Sequence, residues 1–164
     1  MPLFKSDPSG TVVKRAFLIE SFFNLLSFPL ITNTETVLYY LLRDPTSQIN
    51  ASSILFSRLF GGLVIGGLTT CLIYGSKHIP SRRNVYWTLG MGEIFLIPIL
   101  LLEALKSNQD KNKALSTYTA LGSISLLLPP LLWRVYILYI RPDLIGDENQ
   151  IKKDERQPLI RDEQ

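Results

Sequence analysis

The chain has 164 residues, of which 46% are hydrophobic and 19% are charged, and its formal net charge is +3. The charged residues lie between long apolar runs and do not form the basic stripe that nucleic-acid binding requires, so no nucleic-acid partner is predicted. The single cysteine and the single histidine exclude an intrachain disulfide and a Cys/His metal site, and neither a metal nor a cofactor is predicted.

Four apolar runs predict four membrane-spanning helices, because about 20 apolar residues in a helix cross the ~30 Å hydrocarbon core of a bilayer. The predicted spans are residues 12–31, 53–74, 85–105 and 116–140. The predicted fold class is therefore all-α, a polytopic membrane protein with a four-helix bundle. Prolines inside three of the spans predict kinked helices, since proline removes a backbone hydrogen bond. Residues 1–11 form a cytosolic N-terminus, and the charged tail 141–164 is predicted to be disordered.

The chain after the first span allows two interpretations. Pro29 is expected to bend or end the span, and Thr32 and Glu35 have the spacing of a helix capping box. This pattern predicts a short lumenal surface helix over residues 34–44. A single long tilted helix over residues 12–42 is the alternative.

The flanking charges predict the orientation. With the N-terminus in the cytosol, eleven Lys and Arg residues flank the spans on the cytosolic side and four on the other. Positive charge favours the cytosolic side, so both ends are predicted to be cytosolic. Lys77, Arg82 and Arg83 belong to this set, and contact with anionic lipid is a second role for them. Asn50 begins an N-x-S triplet in the first lumenal loop, which predicts N-glycosylation there unless the triplet arose by chance.

Charged side chains within the spans mark candidate sites, because each costs ~3 kcal/mol or more at the membrane centre. Counting ~1.5 Å per residue from the span ends places Glu20, Glu93 and Arg134 in the cytosolic half, where Arg134 can meet either acid or both. Asn24 lies one turn after Glu20 on the same helix face. Two readings remain open for this intramembrane polar network. It either ties three helices together or lines a cavity for a proton, an ion or a polar headgroup.

A second polar group is predicted in the other half of the bundle, where Arg58 is expected to pair with Glu35 or Glu103. Gly62 and Gly66 form a G-x-x-x-G pattern in the second span. Small residues at this spacing allow close helix packing, either within the bundle or in a dimer.

The tail carries a sorting pattern in which Glu155 stands four positions before the pair Leu159-Ile160. This acidic dileucine pattern, with a proline before the leucine, resembles the tails of lysosomal integral membrane proteins of the scavenger-receptor B family, over about eight residues. The resemblance implies binding to a clathrin adaptor complex and location in a lysosome, vacuole or late endosome. The plasma membrane and the endoplasmic reticulum are the alternative locations.

No motif indicates an enzyme: the chain has no nucleotide-binding loop, no nucleophile with a base and no carboxylates with metal-ligand spacing. A lipid-modifying activity using Glu20 and Glu93 stays open. The first functional hypothesis is an accessory or scaffold protein of an endolysosomal or vacuolar membrane, with the lipid bilayer and a larger membrane protein as partners. The second is a transporter or channel component that uses Glu20, Glu93 and Arg134. The third is a scaffold or lipid-related protein of the endoplasmic reticulum.

Overall fold

A computed structural model describes residues 7, 9–107, 110 and 112–147. Four helical segments are long and apolar enough to cross a membrane: Thr11–Thr32, Ala51–Lys77, Ile79–Leu105 and Thr117–Ile140. The described residues contain no β-strand. The all-α fold with four candidate spans is thereby confirmed.

The first span is composite. Helix α1 (Thr11–Leu25) ends in a turn, α2 (Pro29–Thr32) follows, and α3 (Thr34–Leu41) continues after a break at Asn33. Pro29 occupies the first position of α2, where its missing N–H leaves no hydrogen bond unmade. The chain is therefore a span followed by a separate short helix, and the alternative of one long helix over residues 12–42 is wrong.

The predicted capping box at the start of α3 is also wrong. Asn33, not Thr32, precedes the helix, and its side chain makes no capping hydrogen bond. The Thr32 hydroxyl instead donates back to the carbonyl of Phe28 within α2, at 3.4 Å. A threonine one turn into a helix finds a local carbonyl more readily than the next helix start.

The remaining elements follow in chain order. They are α4 (Pro45–Gln48), α5 (Ala51–Gly62), a π-helical segment (Leu63–Leu68), α6 (Thr69–Lys77), α7 (Ile79–Leu105), α8 (Thr117–Val135), a second π-helical segment (Tyr136–Ile140) and a 3-10 turn (Pro142–Leu144). Helices α7 and α8 continue through their internal prolines, so bends there remain a prediction. The irregular backbone hydrogen bonding lies in the two π-helical segments.

The helices pack as two neighbouring pairs. Helix α1 lies along α6, α7 lies along α8, α6 contacts α7, and α2 and α3 lie against α5. The hydrophobic core gathers at one end of this bundle and comprises Val13, Phe17, Leu72, Val85, Tyr86, Leu89, Ile137 and Leu144. We call this the terminal end, because Gly10, His78 and Ile145 lie there. The opposite end, formed by residues 42–50 and 112–117, is the loop end.

The segment after the fourth span is ordered, and the prediction of disorder from residue 141 is wrong for residues 141–147. Leu144 is fully buried in the core, because the 3-10 turn folds it back under the bundle. The Arg141 guanidinium donates two hydrogen bonds, of 2.8 and 2.7 Å, to the Asp143 carboxylate. These hydrogen bonds stabilise the ionised carboxylate and lower the pKa of Asp143. The predicted sorting residues Glu155, Leu159 and Ile160 lie outside the described residues.

The loop end is held together by polar contacts. Lys113 is 1% exposed, and its ammonium donates to the Lys106 carbonyl at 2.9 Å and to the Thr117 hydroxyl at 2.6 Å. The Gln48 side-chain amide donates to the Lys113 carbonyl at 2.8 Å, and the Arg43 backbone N–H donates to the Ala114 carbonyl at 3.0 Å. The two loops therefore pack on each other as one unit.

Candidate functional site

Three charged side chains from three different spans meet inside the bundle. Arg134, near the end of α8, forms one ion pair with Glu20 of α1 through Nη2 and a second with Glu93 of α7 through Nη1. We call these three residues the charge triad. Residue depth within the spans predicted that Glu20, Glu93 and Arg134 lie in the same half of the membrane. In the structure the three side chains are in contact.

The triad is buried to different degrees. Arg134 is 1% exposed and Glu93 is 7% exposed, whereas the side chain of Glu20 retains 26% of its accessible surface. Gly90, one turn before Glu93, lies against the arginine stem, since a Cβ there would be in ordinary van der Waals contact with the Arg134 Cδ, at 3.7 Å. The arginine stem therefore packs on α7, and its guanidinium reaches both carboxylates.

The triad has one more acid than base. With all three groups ionised it carries one net negative charge, and charge is costly in a membrane unless it is compensated. Two of its buried polar atoms, Glu93 Oε2 and Arg134 Nε, also have no hydrogen-bond partner among the residues that the structure describes. A second carboxylate beside a single arginine disfavours the ionisation of both acids together, so the triad is a candidate site for a proton.

An aromatic group joins the same three helices beside the triad. The Tyr86 ring is fully buried, and its centroid lies 4.6 Å from that of Phe17 on α1. The Trp133 indole N–H of α8 donates to the Tyr86 hydroxyl at 2.9 Å. These contacts hold α1, α7 and α8 at fixed distances, which keeps the charged groups of the triad in register.

Asn24 is not part of the network. Its side chain is partly buried, but the structure gives it no hydrogen bond within the described ranges. The four-residue spacing puts Asn24 on the same face of α1 as Glu20. The Arg134 guanidinium binds Glu20 and does not reach Asn24, one turn further along the helix.

The second predicted polar group does not form. Arg58 is exposed, and its Nε donates to the Thr34 hydroxyl at 3.2 Å. Glu35 is exposed on α3, and Glu103 pairs with Lys106 at 2.6 Å and accepts from the Leu115 amide at 3.1 Å. The pairing with Glu103 is wrong because α5 packs on α2 and α3, whereas the end of α7 turns into the loop before α8. The pairing with Glu35 is wrong because Arg58 meets α3 at the buried Thr34, and the next residue, Glu35, is exposed.

The glycine pair in the second span also has a different environment. A Cβ added to Gly62 or to Gly66 would meet no atom within 4 Å, so the prediction of close packing within the bundle is wrong for these two positions. The close approaches in this span occur at Gly61, where an added Cβ would lie 3.0 Å from the Ile31 side chain, and at Gly75, where it would lie 2.9 Å from the Phe17 ring. Glycines of the second span do allow close helix packing, as predicted. Which of these glycines face a neighbouring helix was not visible in the sequence.

Asn50 has a structural role that the N-x-S pattern did not reveal. It is the N-cap of α5, and its side-chain oxygen accepts from the amides of Ser52 and Ser53, each at 3.0 Å. The Ser53 hydroxyl in turn receives the Asn50 amide at 2.9 Å, which completes a capping box. Glycosylation of Asn50 stays a prediction.

Sequence reasoning missed a second buried charge, Arg82. This arginine is 3% exposed, and its guanidinium donates to five backbone carbonyls, at distances between 2.6 and 3.5 Å. The acceptors are Ser9, Gly10, Gly75, Ser76 and Ile145. We call this arrangement the Arg82 clasp. It joins the start of α1, the end of α6 and the segment after the fourth span at the terminal end.

Two glycines make the clasp sterically feasible. Gly10 and Gly146 have φ angles of +62° and +102°, which side-chain-bearing residues rarely adopt. A Cβ on Gly10 would lie 2.0 Å from the Arg82 Nη1. In the sequence, a glycine just before the first apolar segment and one just after the last are the only hint of these tight backbone turns.

The described ranges contain no group of three or more His, Cys, Asp or Glu side chains that could hold a metal ion. Comparison with known proteins does not identify the chain, since no family model matches it and neither the curated proteins nor the solved structures contain a similar one. The class that the fold defines is a multi-pass membrane protein with four candidate spans.

Proposed function

We propose that this protein is an accessory or scaffold protein of an endolysosomal or vacuolar membrane. One observation carries the proposal. Most of the charged groups that the fold buries form hydrogen bonds or ion pairs with other residues of the same chain. In contrast, only 11–17% of the most apolar stretch of each span is buried within the chain. The bundle therefore offers mainly lateral apolar surface, which suits contact with lipid and with the helices of a larger membrane protein.

The tail supports the location. Glu155 and the pair Leu159-Ile160 match an acidic dileucine signal, which a clathrin adaptor complex reads when the tail is cytosolic. A recognition role explains why an apolar pair stands in a strongly charged tail sequence.

The location is tested by imaging a tagged full-length chain beside the variant Leu159→Ala/Ile160→Ala. We expect the native chain in late endosomes, lysosomes or the vacuole, and the variant at the plasma membrane, because the adaptor pocket loses both apolar side chains. The control is Ile151→Ala, which removes an apolar side chain from the same tail but lies outside the sorting pattern. An unchanged distribution of the double variant would refute the sorting role.

A transporter or channel component is the second candidate, and the unbonded Glu93 Oε2 in the charge triad favours it. A buried carboxylate with a free oxygen can accept a proton, and proton-coupled transport uses such groups. Glu93→Gln removes the surplus negative charge and leaves the Arg134–Glu20 pair in place, so the fold should persist.

Purification in a mild detergent separates the two candidates. An accessory protein should elute with a larger membrane protein in constant proportion, and liposomes that contain only the purified chain should show no proton flux. Flux that disappears in Glu93→Gln, at unchanged protein yield, would establish the transporter and overturn the accessory role. An isolated chain that has neither a partner nor a flux would contradict both candidates.

A further inference from the structure

A groove opens at the terminal end between the start of α7 and the segment after the fourth span. Its walls are mainly apolar, with Ile79 and Pro80 on one side and Leu138 and Ile145 on the other, and its volume is about 480 Å³. This volume is in the range of sites that hold small ligands.

The groove contains one cation, Arg83. The guanidinium of its neighbour Arg82 is hydrogen-bonded within the clasp. Arg83, in contrast, is exposed and makes no hydrogen bond or ion pair within the part of the chain that the structure describes. A guanidinium presents five N–H donors in a planar fork that fits a phosphate group. The acid that lines the groove, Asp147, already has an interaction of its own.

The position of the groove indicates what fills it. Arg83 lies near the start of the third span, Leu138 lies at the end of the fourth, and Ile145 follows shortly after it. The groove is therefore at the level where the spans leave the hydrocarbon core. At this level a ligand meets apolar side chains on one side and a cation on the other. An amphiphile satisfies both surfaces, whereas a soluble anion leaves the apolar wall uncovered.

We propose that this groove binds one glycerophospholipid, with its phosphodiester on the Arg83 guanidinium and an acyl chain against Ile79 and Leu138. Asp147 adds a negative charge to the groove, which favours a headgroup with one phosphate over a multiply phosphorylated one. The lipid then bridges the third and fourth spans beside the Arg82 clasp.

Native mass spectrometry of the purified full-length chain, titrated with phosphatidylglycerol in mild detergent, tests the proposal. We expect one tightly bound lipid per chain. Arg83→Gln should weaken its binding about tenfold, as expected for the loss of one charge-assisted contact. Arg83→Lys should recover part of the affinity, because it keeps the charge and loses the fork.

Arg15→Gln is the matched control, since Arg15 is also an exposed arginine near the terminal end but lies outside the groove. It should leave the affinity unchanged, and both variants should keep the thermal midpoint of the native chain. Equal losses in the two arginine variants would show general surface charge and overturn the site. Displacement of the lipid by millimolar inorganic phosphate would assign the groove to a soluble anion, and unchanged binding in Arg83→Gln would remove Arg83 from it.

Discussion

Replacing Arg134 with leucine should remove nearly all folded protein from detergent extracts. The substitution leaves the carboxylates of Glu20 and Glu93 without the cation that both now bind, and Glu93 is 7% exposed. Breaking a buried ion pair by removing one partner costs ~3–5 kcal/mol, which is a large part of the stability of a typical domain. The measurement is the yield of monodisperse protein by size-exclusion chromatography, followed by the thermal midpoint of whatever remains.

A variant without any charge in the triad shows whether stranded charge causes the loss. Glu20→Gln/Glu93→Gln/Arg134→Leu should fold better than Arg134→Leu alone, because no carboxylate is left uncompensated. Equal damage in both variants would assign the effect to the missing arginine stem and its packing against α7.

Arg58→Leu is the matched control for Arg134→Leu. It removes an arginine from the second span, but this side chain is exposed and bonds only the Thr34 hydroxyl among the described residues. The cost should stay near ~1 kcal/mol, the value of one ordinary hydrogen bond. If both leucine variants behave alike, the charge triad does not hold the helices together.

Substitution of Gly10 by alanine should lower the thermal midpoint by about 5–10 °C, which corresponds to a loss of ~2–3 kcal/mol. The φ angle of Gly10 is +62°, where a side chain costs ~1–2 kcal/mol. The added Cβ would also lie 2.0 Å from the Arg82 Nη1 and 2.3 Å from the Ile145 carbonyl oxygen. The guanidinium must therefore shift, and the clasp loses hydrogen bonds.

Two comparisons isolate the clasp as the cause. Gly62→Ala introduces the same methyl group where no atom lies within 4 Å, and it should leave the midpoint unchanged or raise it. Arg82→Gln should lower the midpoint as Gly10→Ala does and should expose residues 145–147 to limited proteolysis, whereas Arg83→Gln should do neither. Proteolysis that is equally slow in Arg82→Gln and the native chain would contradict the clasp.

The extent of the four spans was visible in the sequence because it depends on local composition. The largest difference is at the third span, which begins at Ile79 instead of residue 85. The helix extends through the polar residues 81–84, and a hydropathy pattern marks only the apolar part of a helix, so it does not show where this helix begins. Depth counting within the spans was also enough to place Glu20, Glu93 and Arg134 together.

The partners of the remaining polar groups could not be predicted, because they depend on which faces meet in three dimensions. Arg82 and Arg83 are identical neighbours, yet one is 3% exposed and the other lines an open groove. A step of one residue turns the side chain by about 100° around the helix. The role of each arginine therefore depends on how α6, the residues just before α1 and the residues just after the fourth span pack around it. Gly61 and Gly62 differ in their packing for the same reason.

The Arg82 clasp also brings the two ends of the four-helix domain into contact. A Cβ on Gly146 would lie 3.2 Å from the Gly10 amide nitrogen, so the backbones of these residues touch. A short linker could therefore join them, and the chain could be opened in the loop between α7 and α8 without changing which helices are neighbours. We therefore expect the order in which the four spans enter the membrane to be separable from the fold that they reach.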